Sequence, residues 1–235
     1  MSISEHISKQ FNAELEAVRS SVLQMGGLVE EQIEQAIEAL TTGNIGLIEK
    51  VIADDYRVNA MEVSIDEICS QIIARRQPAA GDLRMILTIV KTITDLERMG
   101  DEAAKIARMA KLIYDSKRKY MPRLVEIRHV ANIAIDMLRK SLDAFARLDI
   151  KTAVQVVRQD ELVDEEFRSI IRQLITFMME DPRMISTSIE ILFAAKAVER
   201  IGDHAKNISE YVVYLVKGKD VRHITVEEVE REIQQ

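Results

Sequence analysis

Two stretches of this chain carry pairs of acidic residues whose spacing would let both side chains bind one metal ion. They read ERMGDEAAKI (residues 97–106) and ERIGDHAKNI (residues 199–208), and their offset is 102 residues (199 − 97). Residues four apart on a helix lie on one face about one turn apart, so Glu97 pairs with Asp101. Glu199 and Asp203 repeat that geometry. The two carboxylates of each pair can therefore face the same cation.

These carboxylates continue an apolar stripe. Glu97 follows Val90 by seven residues, a rotation of about 700° that leaves the two side chains about 20° apart. Glu199 lies above Ala195 and Leu192 in the same way. Because a carboxylate buried without a partner costs several kcal/mol, we expect cations beside these acids. They are either Arg or Lys from a neighbouring helix, or metal ions.

The composition favours long helices and excludes several classes of protein. Of 235 residues, 4% are aromatic, eight are Gly and three are Pro, which disfavours a β-sandwich. A formal net charge of −7 argues against a nucleic-acid partner. We find no signal peptide and no apolar run near the roughly 20 residues that span a bilayer, so we expect a cytoplasmic protein. The single Cys69 is interpreted as a buried, inert thiol.

Proline, glycine and capping residues divide the chain into six predicted helices. They run from near Ser2 to Gly43, from Asn44 to about Arg76, from Pro78 to about Ser116, from Pro122 to Leu148, from Asp149 to about Glu180, and from Asp181-Pro182 to Gly218. Gly26 and Gly27 lie inside the first helix, which we predict to stay continuous. Thr225 and Glu228 form a capping box that predicts a short helix in the tail.

The six helices form two matching sets of three. Asp55 matches Asp160 at an offset of 105 residues (160 − 55), close to the offset of the paired acidic stretches. We predict an all-α fold of two pseudo-repeated three-helix bundles. Their predicted bounds are 1–117 and 118–218, followed by a charged tail at 219–235. The basic run KRKYMPR (117–123) is interpreted as a solvated loop, with a docking patch for an acidic partner or an anionic membrane as the alternative.

A second acidic face could complete the site. It consists of residues on the second predicted helix at spacings of four, three and four, namely Asp55, Asn59, Glu62 and Asp66. An ordinary solvated face is the commoner interpretation of such residues. Asp160 and Asp164 form a weaker copy, because Phe167 follows them. Oxygen ligands alone suit Mg²⁺, Ca²⁺, Mn²⁺ or iron rather than structural zinc.

No catalytic set accompanies the acids. Di-iron carboxylate bundles use two Glu-x-x-His motifs, whereas this chain has one, at Glu126 and His129, which we interpret as chance. P-loop, GxSxG and HExxH patterns are absent from the sequence. His204 is interpreted as a partly exposed helix residue. The Gly of each acidic stretch is explained by close helix packing.

Several further blocks accompany the duplicated motif. They are FNAELE, MGGLVE, ARRQPAAGDLR, LDAFAR, MMEDPR and YLVKG. Together with the two motif copies they resemble the PhoU family over essentially the whole chain. The resemblance implies an all-α cytoplasmic protein, commonly a homodimer, that represses the phosphate-starvation response. It implies two partners, the ATPase subunit of the phosphate ABC transporter and the phosphate-sensing histidine kinase, and contact with the membrane through partners alone.

The resemblance also implies a metal site, because some family members bind clusters of iron or other divalent ions. The family motif falls on these residues: Glu97, Asp101, Glu199 and Asp203. Asn207 matches the motif's extension, where the first copy has Lys105, so we expect two unequal sites with the first weaker. Two alternatives remain, a metalloenzyme that uses metal-bound water and a scaffold in which Arg98 and Arg200 neutralise the acids.

Overall fold

The computed structural model describes residues 3–115, 124–222, 224–225, 227–228 and 231, with side chains from residue 9 onward. Seven α-helices and one 3₁₀ turn make up the regular structure of the described residues up to Lys217. They are α1 (Ile3–Thr42), α2 (Ile45–Asp54), α3 (Tyr56–Arg76), α4 (Ala80–Asp115), α5 (Val125–Arg147), α6 (Ile150–Glu180), the turn Pro182–Met184 and α7 (Ile185–Lys217). The predicted all-α fold is confirmed.

Local capping signals set several of the helix ends. The Asn44 side chain accepts the first-turn N–H of Leu47 at 3.1 Å and begins α2, as predicted. Asp149 caps α6 by accepting the N–H of Lys151 at 2.9 Å. Gly218 ends α7 in the left-handed conformation, with φ of 76°. Boundaries that depend on such local chemistry were therefore predictable from the sequence.

The tail also follows its predicted chemistry. The Thr225 N–H donates to Glu228 Oε2 at 2.9 Å, and the Glu228 N–H donates to Thr225 Oγ1 at 3.3 Å, which confirms the capping box. Val221 is 1% exposed, so the segment after α7 returns to the core. The basic run 117–123 lies outside the described residues, and the bounds of the two predicted bundles stay predictions.

The prediction of one helix from Asn44 to Arg76 was wrong, because the helix divides at Asp55. The Asp55 carbonyl accepts the N–H of Val58 at 3.1 Å, a tighter turn than an α-helix makes. The Asp55 carboxylate accepts from Gln32 Nε2 of α1 at 3.1 Å. The contact that holds this turn comes from a neighbouring helix, which the local sequence pattern does not reveal.

The last long helices of the two halves, α4 and α7, pack against each other at the centre. α4 contacts α1, α2, α3 and α7, and α7 contacts α4, α5 and α6. Buried side chains from all seven helices form one continuous apolar core. Among the described residues, no helix carries a stretch that is long and apolar enough to cross a membrane.

The first helix is continuous through its two glycines, as predicted. A Cβ added at Gly26 would lie 2.5 Å from Leu142 Cδ1 of α5, whereas a Cβ at Gly27 would meet nothing within 4 Å. Gly26 therefore allows α1 and α5 to approach closely, and Gly27 has no such role.

We expect Gly27→Ala to stabilise the protein by about 1 kcal/mol, because Ala has the higher helix propensity. Gly26→Ala gains the same propensity but must displace Leu142, so it should be the less stable of the two variants. Urea unfolding of both variants measures the difference. Equal stabilisation by the two substitutions would show that the close approach of α1 and α5 does not require glycine at position 26.

Candidate functional site

The motif acids of α4 lie on the flank of the core rather than within it. Glu97 is half-buried and Asp101 is exposed. The expected stripe through Val90 is not the core face, because Ile93 and Leu96 point inward at 1% and 0% exposure. Glu97 is turned about 100° from its neighbour Leu96. On α7 the motif acids lie closer to the core, as expected, since Glu199 is 8% exposed and Asp203 is half-buried.

Four carboxylates from the α2–α3 break, α3 and α4 form what we name the first acidic group: Asp55, Glu62, Glu97 and Asp101. Burial raises the pKa of Glu97, the charges of the other three raise it further, and Arg98 opposes them. Loss of hydration and the charge of Asp55 likewise raise the pKa of Asp101. Glu62 also accepts from Thr94 Oγ1 at 3.3 Å. The interpretation as a solvated face was wrong for Asp55 and Glu62.

Two neutral side-chain oxygens lie beside the first acidic group. Gln32 is 5% exposed, and its Nε2 donates to Asp55 Oδ1 while its Oε1 has no hydrogen-bond partner. Asn59, one turn after Asp55, also has an unpaired buried Oδ1. A Cβ on Gly100 would come within 3.2 Å of Gln32 Oε1, so glycine at this position admits the amide. The side-chain oxygens of Gln32 and Asn59 are therefore buried acceptors that receive no hydrogen bond.

The corresponding residues of α6 and α7 form the second acidic group: Asp160, Asp164, Glu199 and Asp203. Two lysines lie within it. Lys196 Nζ donates to the Glu199 carboxylate, and Lys206 Nζ donates to Asp160 Oδ2 at 2.7 Å. Burial raises the pKa of Asp203 to about 6, with Glu199 and Asp160 adding to the shift and Lys196 opposing it. This group is therefore partly neutralised by its own chain.

The two groups differ in how well they suit a metal ion. Among the described residues, no three Asp, Glu, His or Cys side chains surround a single point as they stand. The first acidic group offers carboxylate and amide oxygens, the donors that hard cations prefer. An ion there would have to draw these side chains together. In the second acidic group, an ion would have to displace two ammonium groups.

The helix interface between the two groups contains a buried polar contact that sequence reasoning missed. His204 Nδ1 lies 2.7 Å from Asp95 Oδ1, and the two residues are 6% and 2% exposed. Asn207 Nδ2 also donates to Asp95 Oδ1, at 3.2 Å, and the Tyr211 hydroxyl bonds to the same carboxylate. The prediction of a partly exposed His204 was wrong, because α4 covers that face of α7.

A second interhelical contact joins Arg200 of α7 to Glu102 of α4, which is 5% exposed. Lys105 Nζ lies 3.2 Å from the same carboxylate. Arg200 thus pairs with Glu102 of the opposite helix rather than with a motif acid. The signal that could have revealed these contacts is the seven-residue spacing of Thr88, Asp95 and Glu102 inside an apolar pattern.

A buried carboxyl beside the second acidic group, that of Glu210, makes the stability of the protein depend on pH. Burial raises the pKa of Glu210 from 4.5 to about 7, Asp160 and Asp220 raise it further, and Lys206 opposes the shift. The folded state therefore binds more protons than the unfolded state between about pH 4.5 and 7. Stability falls as pH rises through that window, because the charge must then be buried.

We expect Glu210→Gln to gain stability relative to wild type as pH rises from 4.5 to 7, by up to about 3 kcal/mol. Urea unfolding at a series of pH values measures the difference. Glu161→Gln removes an exposed carboxylate of α6 and is the matched control. A constant difference between Glu210→Gln and wild type across the window would contradict the buried carboxyl.

Comparison with known proteins finds relatives that match both halves of the chain. A family model described as the PhoU domain matches residues 22–110 and 127–212. The chain is 50% identical to the phosphate-specific transport system accessory protein PhoU homolog of Pseudomonas aeruginosa, over 99% of this chain and 96% of that protein. It is 47% identical to the Escherichia coli accessory protein PhoU, over 98% and 95%.

Solved structures agree. The crystal structure of PhoU from Pseudomonas aeruginosa superposes with a TM-score of 0.85, covering 89% of this chain and 100% of that one at 50% identity. The phosphate transport system regulatory protein PhoU from Streptococcus pneumoniae gives 0.82 at 28% identity, over 90% and 99%. The matches extend over the acidic motifs of both halves and over the helices that carry them. The chain belongs to the PhoU family.

Proposed function

We propose that this protein is a non-enzymatic, cytoplasmic negative regulator of phosphate uptake and of the phosphate-starvation response. It acts as an adaptor between the ATPase subunit of the phosphate ABC transporter and the phosphate-sensing histidine kinase. Family membership over nearly the full chain carries this proposal. The relatives are named as accessory proteins of phosphate transport, and one solved relative is named a phosphate transport system regulatory protein.

An exposed apolar row on α7 supports contact with a partner protein. Ile185, Ile189 and Phe193 are spaced by four residues and are 43%, 41% and 49% exposed; we name them the α7 stripe. Side chains at this spacing lie on one helix face. Apolar rows on a helix surface are a usual means of docking against another protein. An adaptor needs such a surface, and we propose this one for the transporter or the kinase.

We expect deletion of the gene to leave phosphate-responsive promoters active in phosphate-rich medium, because the kinase is no longer held in its inhibitory state. Wild type should restore repression. Ile189→Asp combined with Phe193→Asp should fail to restore it while folding normally, since both residues are exposed. A promoter reporter and circular dichroism measure the two effects.

Leu162→Asp alters an equally exposed apolar residue of α6 (52%) and is the matched control, which should restore repression. Normal repression in the deletion strain would refute the regulatory proposal. Full repression by the double Asp variant would show that the α7 stripe is not the surface that binds the transporter or the kinase. Light scattering of the same variants reports whether the stripe instead joins two copies in the expected homodimer.

A second proposal is that the acidic motifs bind a divalent or iron ion, such as Mn²⁺, Mg²⁺, Ca²⁺ or Fe²⁺. The supporting observation is the raised pKa of Glu97, Asp101 and Asp203, each caused by loss of hydration and by neighbouring carboxylates. Such crowding is relieved by a cation. A bound ion would supply a positive charge that holds α3 against α4, which is a structural and regulatory role.

A further inference from the structure

The two acidic groups are built on the same packing. Gly100 of α4 approaches Val58 of α3, where an added Cβ would lie 3.3 Å from Val58 Cγ1. Gly202 of α7 approaches Val163 of α6 at the same distance from Cγ1. Val58 and Val163 are 105 residues apart, the offset already found for Asp55 and Asp160. Each residue of one group therefore has a structural counterpart in the other repeat.

Matching positions differ in charge. Thr94 of the first repeat corresponds to Lys196, and Ala104 corresponds to Lys206, both at the offset of 102 residues (196 − 94). Each lysine bonds to a carboxylate of the second acidic group, Lys196 to Glu199 and Lys206 to Asp160. In the described part of the chain, no ion pair joins a Lys or Arg to the four carboxylates of the first acidic group.

Matching positions also differ in oxygen donors. Glu62 corresponds to Phe167, and the Lys196 ammonium lies 5.4 Å from the centre of that ring. Gln32 corresponds to Met137, which is fully buried. The second repeat thus has apolar side chains where the first has a carboxylate and an amide. Phe167 helps to hold the lysine that neutralises Glu199.

We infer that the protein takes one divalent cation, at the first acidic group, and that Lys196 and Lys206 replace the ion in the second. Gln32, whose buried Oε1 is unpaired, is an oxygen donor or a positioning residue for that ion. The inference rests on the proposed metal binding and assigns it to one repeat.

The energetics favour the first group for two reasons. An ion entering the second group would have to separate two partly buried charge pairs, which is costly when no partner replaces the lost one. An ion entering the first group meets four carboxylates and an unpaired amide oxygen, so it removes repulsion and satisfies a buried acceptor. The prior expectation of a weaker first site, drawn from Lys105, is reversed because Lys105 pairs with Glu102.

Mn²⁺ titration of the purified, chelator-treated full chain tests the inference by calorimetry. We expect one Mn²⁺ per chain. Glu97→Gln should weaken binding at least about tenfold, whereas Glu199→Gln should leave the affinity unchanged. Gln32→Met, which introduces the residue of the second repeat, should weaken it about tenfold, the usual effect of removing a supporting group.

A gain of function is the stronger test. Lys196→Thr combined with Lys206→Ala introduces the residues of the first repeat and should create a second Mn²⁺ site. Without the ion this variant should melt earlier, because Glu199 and Asp160 lose their partners, and Mn²⁺ should restore its melting temperature. Lys151→Ala, which removes an exposed lysine of α6, is the matched control and should keep one site.

Two Mn²⁺ per wild-type chain, or equal losses from Glu97→Gln and Glu199→Gln, would overturn the inference. If the double lysine variant does not fold, the comparison of Glu97→Gln with Glu199→Gln still shows which acidic group binds the ion. Absence of any Mn²⁺ binding would overturn both this inference and the metal proposal. The regulatory proposal would then stand or fall separately on promoter repression in the deletion strain.

Discussion

The contact of Asp95 with His204 fixes α4 against α7, and both acidic groups depend on those two helices. A buried carboxylate needs hydrogen-bond donors, and Asp95 receives them from His204, Asn207 and Tyr211 of a single facing helix. Arg200 and Glu102 add a second charged contact along the same interface. Sliding one helix past the other would leave these buried groups unpaired. The interface therefore sets the register between the repeats and the positions of the acids on either side.

The two repeats share one packing frame and differ in the residues that surround their acidic groups. Val58 on Gly100 and Val163 on Gly202 are the same contact made twice. Lys196 and Lys206 bond directly to carboxylates of the second copy. Within the described residues, the carboxylates of the first copy form no ion pair with a Lys or Arg, although Arg98 and Arg108 act on them from a distance. The proposed metal ion therefore belongs to the first repeat alone, because the second already contains its own cations.

The sequence correctly predicted the features that depend on residues close together in the chain. Asn44, Asp149 and Gly218 mark helix ends because capping depends on residues within one turn. The division at Asp55 and the burial of His204 were missed, because each depends on a contact from a helix distant in the chain. Motif spacing placed Glu97 beside Asp101 correctly. It did not show that Lys206 enters the second group, because that lysine reaches Asp160 on a different helix.

Native-state hydrogen exchange with graded urea tests most directly whether the α4–α7 interface makes the two repeats one cooperative unit. The account predicts that the slowest amides of α4 and α7 share one opening free energy and one urea dependence. It predicts the same common value for the core amides of α1 and α6. Opening of α5, α6 and α7 at a distinctly lower free energy than α1 to α4 would contradict it, because each repeat would then hold its acidic group without the other.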